Sequence, residues 1–422
     1  MHTSVSLFTG AGGLDLGLEQ AGFQTVSAVD CDAEAVETLK LNRRDGLSIP
    51  GRPGDQYLAH AAIIPMKIED VDVKDVRPAW AAPGWSPDLL VGGPPCQPFS
   101  SSGGMLSVSD PRGRLFEHFV RLAGALRPRF VLFENVRGLV TARGPRNEPG
   151  EVLHLVKAGF ERAGYATRFA LLNAADYGCP QRRVRCFMIG SRREPLPEFP
   201  DPTHHSRPEK GLFNDLLPWV SLGEFLARYP TPDANDIVRP TDSLAARLDG
   251  LRDGTGLRSA GARESTRPGG HWGYRQGTFI ADQSLPARTI TASASQDWVR
   301  SPDGSLRRLT WRECAGLQGF PAGWQFVGGK ASKYRQIGNA VPVQFGLVIG
   351  RQLLQAASEK PTLAGANPSA PLPQEFATAI AYTKKEHARN GGSRAKVIAL
   401  QGTGAVPQLQ IKGRGSEDRR PA

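Results

Sequence analysis

The chain has 422 residues, of which 40% are hydrophobic and 22% charged, with a formal net charge of +11 and a pI near 9.6. These values suit two domains or one large domain with an insertion, and the charge points to a polyanionic partner rather than to any fold. No run approaches the ~20 apolar residues of a membrane span, and five widely spaced cysteines with no CxxC argue against a disulfide framework or a zinc site.

The N-terminus lacks the basic-then-apolar order of a secretory leader, so a cytoplasmic protein in a reducing compartment is expected. Short apolar runs alternate with amphipathic stretches through the first half. "VSLFTG" predicts a strand, "LDLGLEQAGF" a helix, "TVSAVD" a strand and "AEAVETLKLN" a helix. "PDLLVGG" reads as a buried strand, "LFEHFVRLAGALRP" as a helix and "RFVLFENV" as a strand. A helix follows over "GEVLHLVKAGFERAGY", then strands over "ATRFALLNA" and "RVRCFMIGS". This alternation predicts an α/β fold with a parallel-rich sheet, helices on both faces and ligands at the carboxyl edge.

From 191 to 286 Pro, Gly and short polar segments dominate, as in a smaller irregular domain. Regular patterning resumes over 287–357 with "LTWRECAGLQGF" and the amphipathic "PVQFGLVIGRQLLQAA". Residues 358–422 read as a disordered basic tail. Charge is uneven: residues 252–335 hold thirteen Lys/Arg against six Asp/Glu. Trp272, Tyr274, Trp298 and Trp311 lie in that basic region, the pattern of a nucleic-acid face; a solvated surface is the plain alternative.

Four places carry chemistry. "SLFTGAGGLDLGL" is a strand, a glycine turn and a helix, which presents backbone N–H groups to an adenosine-type cofactor or is simply a tight turn. Asp30 closes the next strand, where an acid accepts ribose hydroxyls or caps the following helix. "LLVGGPPCQPFS" holds Cys96 at a strand end within a Gly- and Pro-stiffened turn, as an exposed nucleophile or as a buried cysteine in a structural turn. Glu134 ends an apolar strand one βαβ unit later, where desolvation raises a carboxyl pKa and makes a proton donor near neutral pH; an exposed loop acid is the alternative. Arg183 and Arg185, spaced i and i+2 at a strand start, share one face and so suit one anionic or carbonyl ligand, or an exposed strand face.

"FTGAGG", "GGPPCQPFS", "FENVRGL", "QRRVR", "LPARTIT", "LTWRECAGLQGFP" and "YRQIGNAVPV" resemble, in this order, the successive motifs of the DNA (cytosine-5) methyltransferases. The resemblance spans about residues 4–356. It implies a Rossmann-like S-adenosylmethionine-dependent catalytic domain and a smaller target-recognition domain over 191–286. Cys96 would attack carbon 6 of a flipped-out cytosine, with Glu134 on ring nitrogen 3, Arg185 on the carbonyl oxygen and Arg183 in support. The resemblance assigns Phe8, Gly10, Gly12, Gly13, Asp30, Asp70, Asn339 and Val341 to S-adenosylmethionine, and Ser102 to the vicinity of the flipped base. No metal is implied. Cys31 stands where a bulkier residue often covers the adenine.

Arg258, Arg263, Arg267, His271, Trp272, Tyr274 and Arg275 are candidates for DNA contact. The layout resembles that of bacterial modification enzymes, acting on double-stranded DNA as a monomer in the nucleoid-bearing cytoplasm, with a companion restriction endonuclease acting separately. Three other readings stay open at this point: a transfer-RNA cytosine-5 methyltransferase, a non-catalytic DNA-binding relative, and an unrelated oxidoreductase of the same fold class.

Overall fold

The sheet is built on period-two alternation. The computed structural model describes residues 1–95, 115–193, 195–206, 216–257, 278–359 and 368–385. Within these, seven strands form the main sheet: β1 (His2–Leu7), β2 (Phe23–Asp30), β3 (Ala62–Pro65), β4 (Leu89–Gly92), β5 (Phe130–Val136), β6 (Ala166–Asn173) and β7 (Val184–Ser191). Their order is β3-β2-β1-β4-β5-β7-β6. All pairs from β3 to β5 are parallel, while β7 runs antiparallel to both β5 and β6. The expected parallel-rich α/β fold is therefore present, with β7 the reversed strand.

Alternate residues of the central strands face opposite layers. Leu90, Val131 and Phe133 point to one side. There they meet Phe119 and Leu122 of α4 (Leu115–Leu126) and Val152, Val156 and Phe160 of α5 (Glu151–Arg162). Leu89, Val91, Phe130 and Leu132 point to the other side, against α1 (Gly13–Ala21) and α10 (Val343–Ser358). α2 (Ala33–Asp45) follows β2, its first N–H groups capped by the Asp32 side chain, and α3 (Val73–Val76) follows β3.

α1 and α10 touch backbone to backbone. A Cβ on Gly17 would lie 2.0 Å from the Val343 carbonyl oxygen, and one on Gly346 would lie 2.2 Å from that of Leu14. No side chain fits at either position, and this close approach brings the segment before α10 against the start of α1.

The second half holds α6 (Leu222–Arg228), α7 (Asp242–Leu248), α8 (Trp311–Leu317) and α9 (Lys330–Asn339). β8 (His204–His205) and β9 (Leu217–Pro218) pair with each other. A small sheet joins β10 (Thr255–Gly256), β11 (Phe279–Ile280), β12 (Trp298–Arg300) and β13 (Leu306–Arg308) over a core of Leu248, Ile280 and Trp298. That sheet draws strands from both sides of residue 286, so the boundary expected there cuts through a single packed unit.

A second correction concerns the tail. Residues 374–385 are helical, with Phe376 0% exposed in the core under α5. The expectation of a disordered tail from 358 fails for 368–385, where Leu372, Phe376, Ala379 and Ile380 form an apolar stripe at helical spacing. Among the described residues, no helix is long and apolar enough to cross a membrane.

Candidate active site

β1 ends at Leu7, and the chain turns through Phe8 (φ 55°), Gly10 (φ 57°) and Gly12 (φ 88°) before α1 starts. The left-handed backbone at residue 10 favours glycine, and a Cβ placed there would meet nothing within 4 Å, so the space before the turn is open. Asp30, at the end of β2, accepts the Gly10 N–H at 2.7 Å through Oδ2 and the Asp32 N–H at 2.8 Å through Oδ1. It ties the glycine turn to the head of α2. Each oxygen keeps a second lone pair for a hydroxyl group. Burial raises its pKa, and these two N–H donors pull it back.

The other wall comes from far along the chain. A Cβ on Gly13 would lie 2.3 Å from the Val341 carbonyl oxygen, so residues 339–341 rest directly on the start of α1. Asn339 is exposed beside them. Asp70 is exposed five residues past β3, beyond the same sheet edge, and Cys31 is exposed after Asp30. These positions fit an adenosine-type cofactor: open space over a glycine turn, flanked by a strand-end acid and the 339–341 segment.

Glu134 lies at the carboxyl edge, 7% exposed. The β4–β5 register pairs Gly92 with Phe133, so one step further sets Gly93 beside Glu134 on the same face. A Cβ on Gly93 would lie 2.5 Å from Glu134 Oε2; only a glycine leaves that oxygen its place. The reversed strand β7 places Arg185 opposite Val136, and its Nε forms an ion pair with Glu134 Oε1 at 3.0 Å. Burial pushes the Glu134 carboxyl above its usual range, while Arg185 and then Arg183 draw it down. The result is a raised carboxyl, as the strand-end position implied.

Asn135, which the sequence reading passed over, donates from Nδ2 to the Pro94 carbonyl at 3.1 Å, anchoring the turn that leads to Cys96. A buried amide beside a candidate acid was the available signal. Cys96 and Ser102 lie outside the described residues, as do Arg258, Arg263, Arg267, His271, Trp272, Tyr274 and Arg275.

Arg183 requires a correction. It does not share a ligand-facing opening with Arg185. Only 2% exposed, it donates from Nη1 to the Ile290 carbonyl (2.7 Å) and from Nη2 to those of Gly338 (2.8 Å) and Ala340 (2.9 Å). Residue 183 precedes the first ladder residue of β7, so the i, i+2 rule does not hold its side chain on the strand face. Gln181 and Gln318 extend this hub. Gln181 accepts the Ile290 N–H and donates to Gln318, which donates to the Ile337 carbonyl at 2.6 Å. The hub fixes residues 337–341, the far wall of the cofactor space, against the catalytic sheet. Gln181 and Gln318 lie 137 residues apart, so no local pattern in the sequence pointed to the hub.

The site thus joins an open adenosine-type cofactor space to a raised carboxyl and the anchored turn before a cysteine, an arrangement for group transfer to an acceptor at the sheet edge. The sequence profile of the C-5 cytosine-specific DNA methylases matches residues 2–355, and the chain belongs to that family. It transfers a methyl group from S-adenosylmethionine to carbon 5 of cytosine in DNA. A Type II methyltransferase of Fusobacterium nucleatum (M.FnuDI) is 30% identical over 376 residues, covering 84% of this chain and 95% of its own. M.NgoMIV of Neisseria gonorrhoeae is 31% identical over 359 residues, covering 85% and 99%. In fold, the chain is similar to a putative DNA modification methyltransferase from an E. coli prophage, with a TM-score of 0.58 at 22% identity over 85% of this chain and all of the other. Among the described residues no cluster of His, Cys, Asp and Glu is arranged to hold a metal ion.

Proposed function

We propose that this chain methylates one short sequence in double-stranded DNA as the modification enzyme of a restriction–modification system, working as a monomer beside a separately acting endonuclease. Its similarity to Type II methyltransferases supports that role. The catalytic assignment rests chiefly on one observation, the Glu134 carboxyl held between Gly93 and Arg185.

The chemistry follows from the electron-poor ring. Carbon 5 of cytosine is a weak nucleophile, so the Cys96 thiolate adds to carbon 6 while Glu134 delivers a proton to ring nitrogen 3. Oε1 is engaged by Arg185, which leaves Oε2, beside Gly93, to carry that proton. Arg185 also faces the developing charge on the carbonyl oxygen. The bound S-adenosylmethionine supplies an electrophilic methyl group. Once carbon 5 is methylated, a base takes its proton, the carbon 6–sulfur bond breaks to release the Cys96 thiolate, and ring nitrogen 3 returns its proton to Glu134, which restores the neutral aromatic ring. A duplex hides the ring faces, so the base is flipped out. Phe8, Gly10, Gly12, Gly13, Asp30, Asp70, Asn339 and Val341 line the cofactor side. Ser102 and Arg258, Arg263, Arg267 and Arg275 belong to the DNA side, with target reading centred on the unit around the small sheet.

Purified protein incubated with S-adenosylmethionine and unmethylated genomic DNA, followed by conversion sequencing, tests this reading. Methylation at one short motif, absent with Cys96→Ser, is expected. Cofactor-bound protein that leaves DNA unmethylated overturns it, and methylation without motif preference overturns the modification role.

A further inference from the structure

Residues 368–385 lie outside the matched family region and yet are built into the catalytic domain. The Ala370 N–H donates to the Thr167 carbonyl at 2.9 Å, and the Thr167 N–H donates to Ser369 Oγ at 3.0 Å, so the segment first fastens to β6, the last strand of the sheet. Ser191 pairs with both Phe130 and Ala166, which puts this fastening level with the start of β5, at the end opposite Glu134. The helix over 374–385 then buries Phe376 and reaches Gly150. A Cβ on Gly150 would lie 2.6 Å from Ile380 Cδ1.

Gly150 caps the start of α5, at the carboxyl edge of the sheet, and closes the loop that begins just after Val136. The segment therefore rises from the far edge at Ala370 to the catalytic edge, where Ile380 of the helix meets Gly150. Its last two residues, Lys384 and Lys385, are exposed and lie a turn beyond Ile380. Lysines also suit a helix C-terminus on dipole grounds alone. The sequence, however, continues the same charge: residues 383–396 hold five Lys/Arg against one Asp/Glu. Stabilising one helix end requires no such continuation.

We propose that the 368–385 segment is a strap that directs a cationic end to the catalytic edge, where Lys384 and Lys385 bind the phosphate backbone of the DNA flanking the target base. Phosphate contacts position a protein on DNA without reading sequence, so the strap adds affinity and leaves the recognised motif unchanged. This inference rests on the DNA-methylation reading of the site.

The test is the double variant Lys384→Gln/Lys385→Gln in the full chain, with duplex binding measured against salt concentration and methylation kinetics alongside. Glutamine keeps a helix propensity close to that of lysine, so the fold is retained. Each lost phosphate contact lowers the magnitude of the log–log salt slope by about 0.9, so a drop approaching about 1.8 is expected. KM for DNA should rise several-fold at moderate salt, with kcat, cofactor affinity and the methylated motif unchanged. Wild-type protein that methylates DNA, paired with a variant of identical salt slope and KM, overturns the strap proposal alone. Wild-type protein that neither binds nor methylates DNA overturns both.

Discussion

Gly93→Ala separates catalysis from stability. The added Cβ would lie 2.5 Å from Glu134 Oε2, while the next atoms, the Glu134 carbonyl oxygen and Cβ, are 3.5 and 3.7 Å away. One oxygen at the end of a side chain is therefore the only severe clash, and ordinary contact requires it to retreat by about 0.9 Å. Gly93 is not among the residues with positive φ, so alanine strains no backbone there. Turning the carboxyl costs about 0.5–1.5 kcal/mol in rotamer energy, and the stiffer unfolded chain returns about 0.4–1 kcal/mol. Stability should then change by less than about 1 kcal/mol.

Catalysis is far less tolerant. A retreat of that size by Oε2 moves the proton away from ring nitrogen 3, while Oε1 keeps its ion pair with Arg185 Nε, now at 3.0 Å. Misplacement of about 1 Å costs roughly 100-fold, or about 2.7 kcal/mol in activation free energy. The assays are methyl transfer at saturating DNA and S-adenosylmethionine, with urea unfolding and cofactor titration as controls. A kcat within threefold of wild type, in a protein of unchanged stability, would refute the assignment of Glu134 as proton donor.

Three further outcomes follow from the same geometry. Gly17→Ala places a Cβ 2.0 Å from the Val343 carbonyl oxygen and 2.6 Å from the Leu347 nitrogen, both backbone. The ~1 kcal/mol gain in helix propensity should be outweighed by overpacking of about 1–3 kcal/mol or more, read as a lower urea midpoint. Arg183→Lys gives up the fork that serves three carbonyls. Residues 338–341 should loosen, and KM for S-adenosylmethionine should rise more than KM for DNA; equal rises would contradict the hub's role.

Asp15, 1% exposed, has its carboxyl pushed up to about 7, chiefly by burial. Below the unfolded pKa near ~4 both states are protonated and no penalty exists. As pH rises toward 7 the unfolded chain ionises first, so stability falls, by up to roughly 4 kcal/mol once the native group also ionises. Asp15→Asn should match wild type near pH 4 and exceed it increasingly by pH 8 in urea unfolding. A constant difference across that range would count against the burial account.

The parts of the fold legible in sequence are those set by local apolar patterning. The continuous apolar runs in "LLVGG" and "FVLFENV" placed β4 and β5, and with them the edge that carries Glu134. Strand direction is not local. Arg185 reaches Glu134 only because β7 is reversed, which brings the strand's beginning, rather than its end, to the active edge. A uniformly parallel reading would send Arg185 to the opposite end of the sheet. The error over Arg183 has the same origin, since its partners Ile290, Gly338 and Ala340 lie more than a hundred residues away. The strap escaped notice for another reason: Pro- and Ala-rich composition masked an apolar stripe whose partners, α5 and the β6 edge, exist only once the domain has folded.

These long-range ties suggest why the chain leaves the catalytic domain after β7 and returns to it in α10. The cofactor space has one wall from residues 8–13 and another from residues 339–341, and neither is complete without the other. Three devices hold the walls together: the glycine contact of α1 with α10, the seat of Gly13 under the Val341 carbonyl, and the Arg183 fork on Gly338 and Ala340. Two of the three bear directly on residues 338–341, and the third sets the helix that follows them. Arg183 lies two residues before Arg185, which grips Glu134. One short stretch at the start of β7 thus ties residues 338–341 to Glu134, and on the proposed reading it links the cofactor wall to the proton donor.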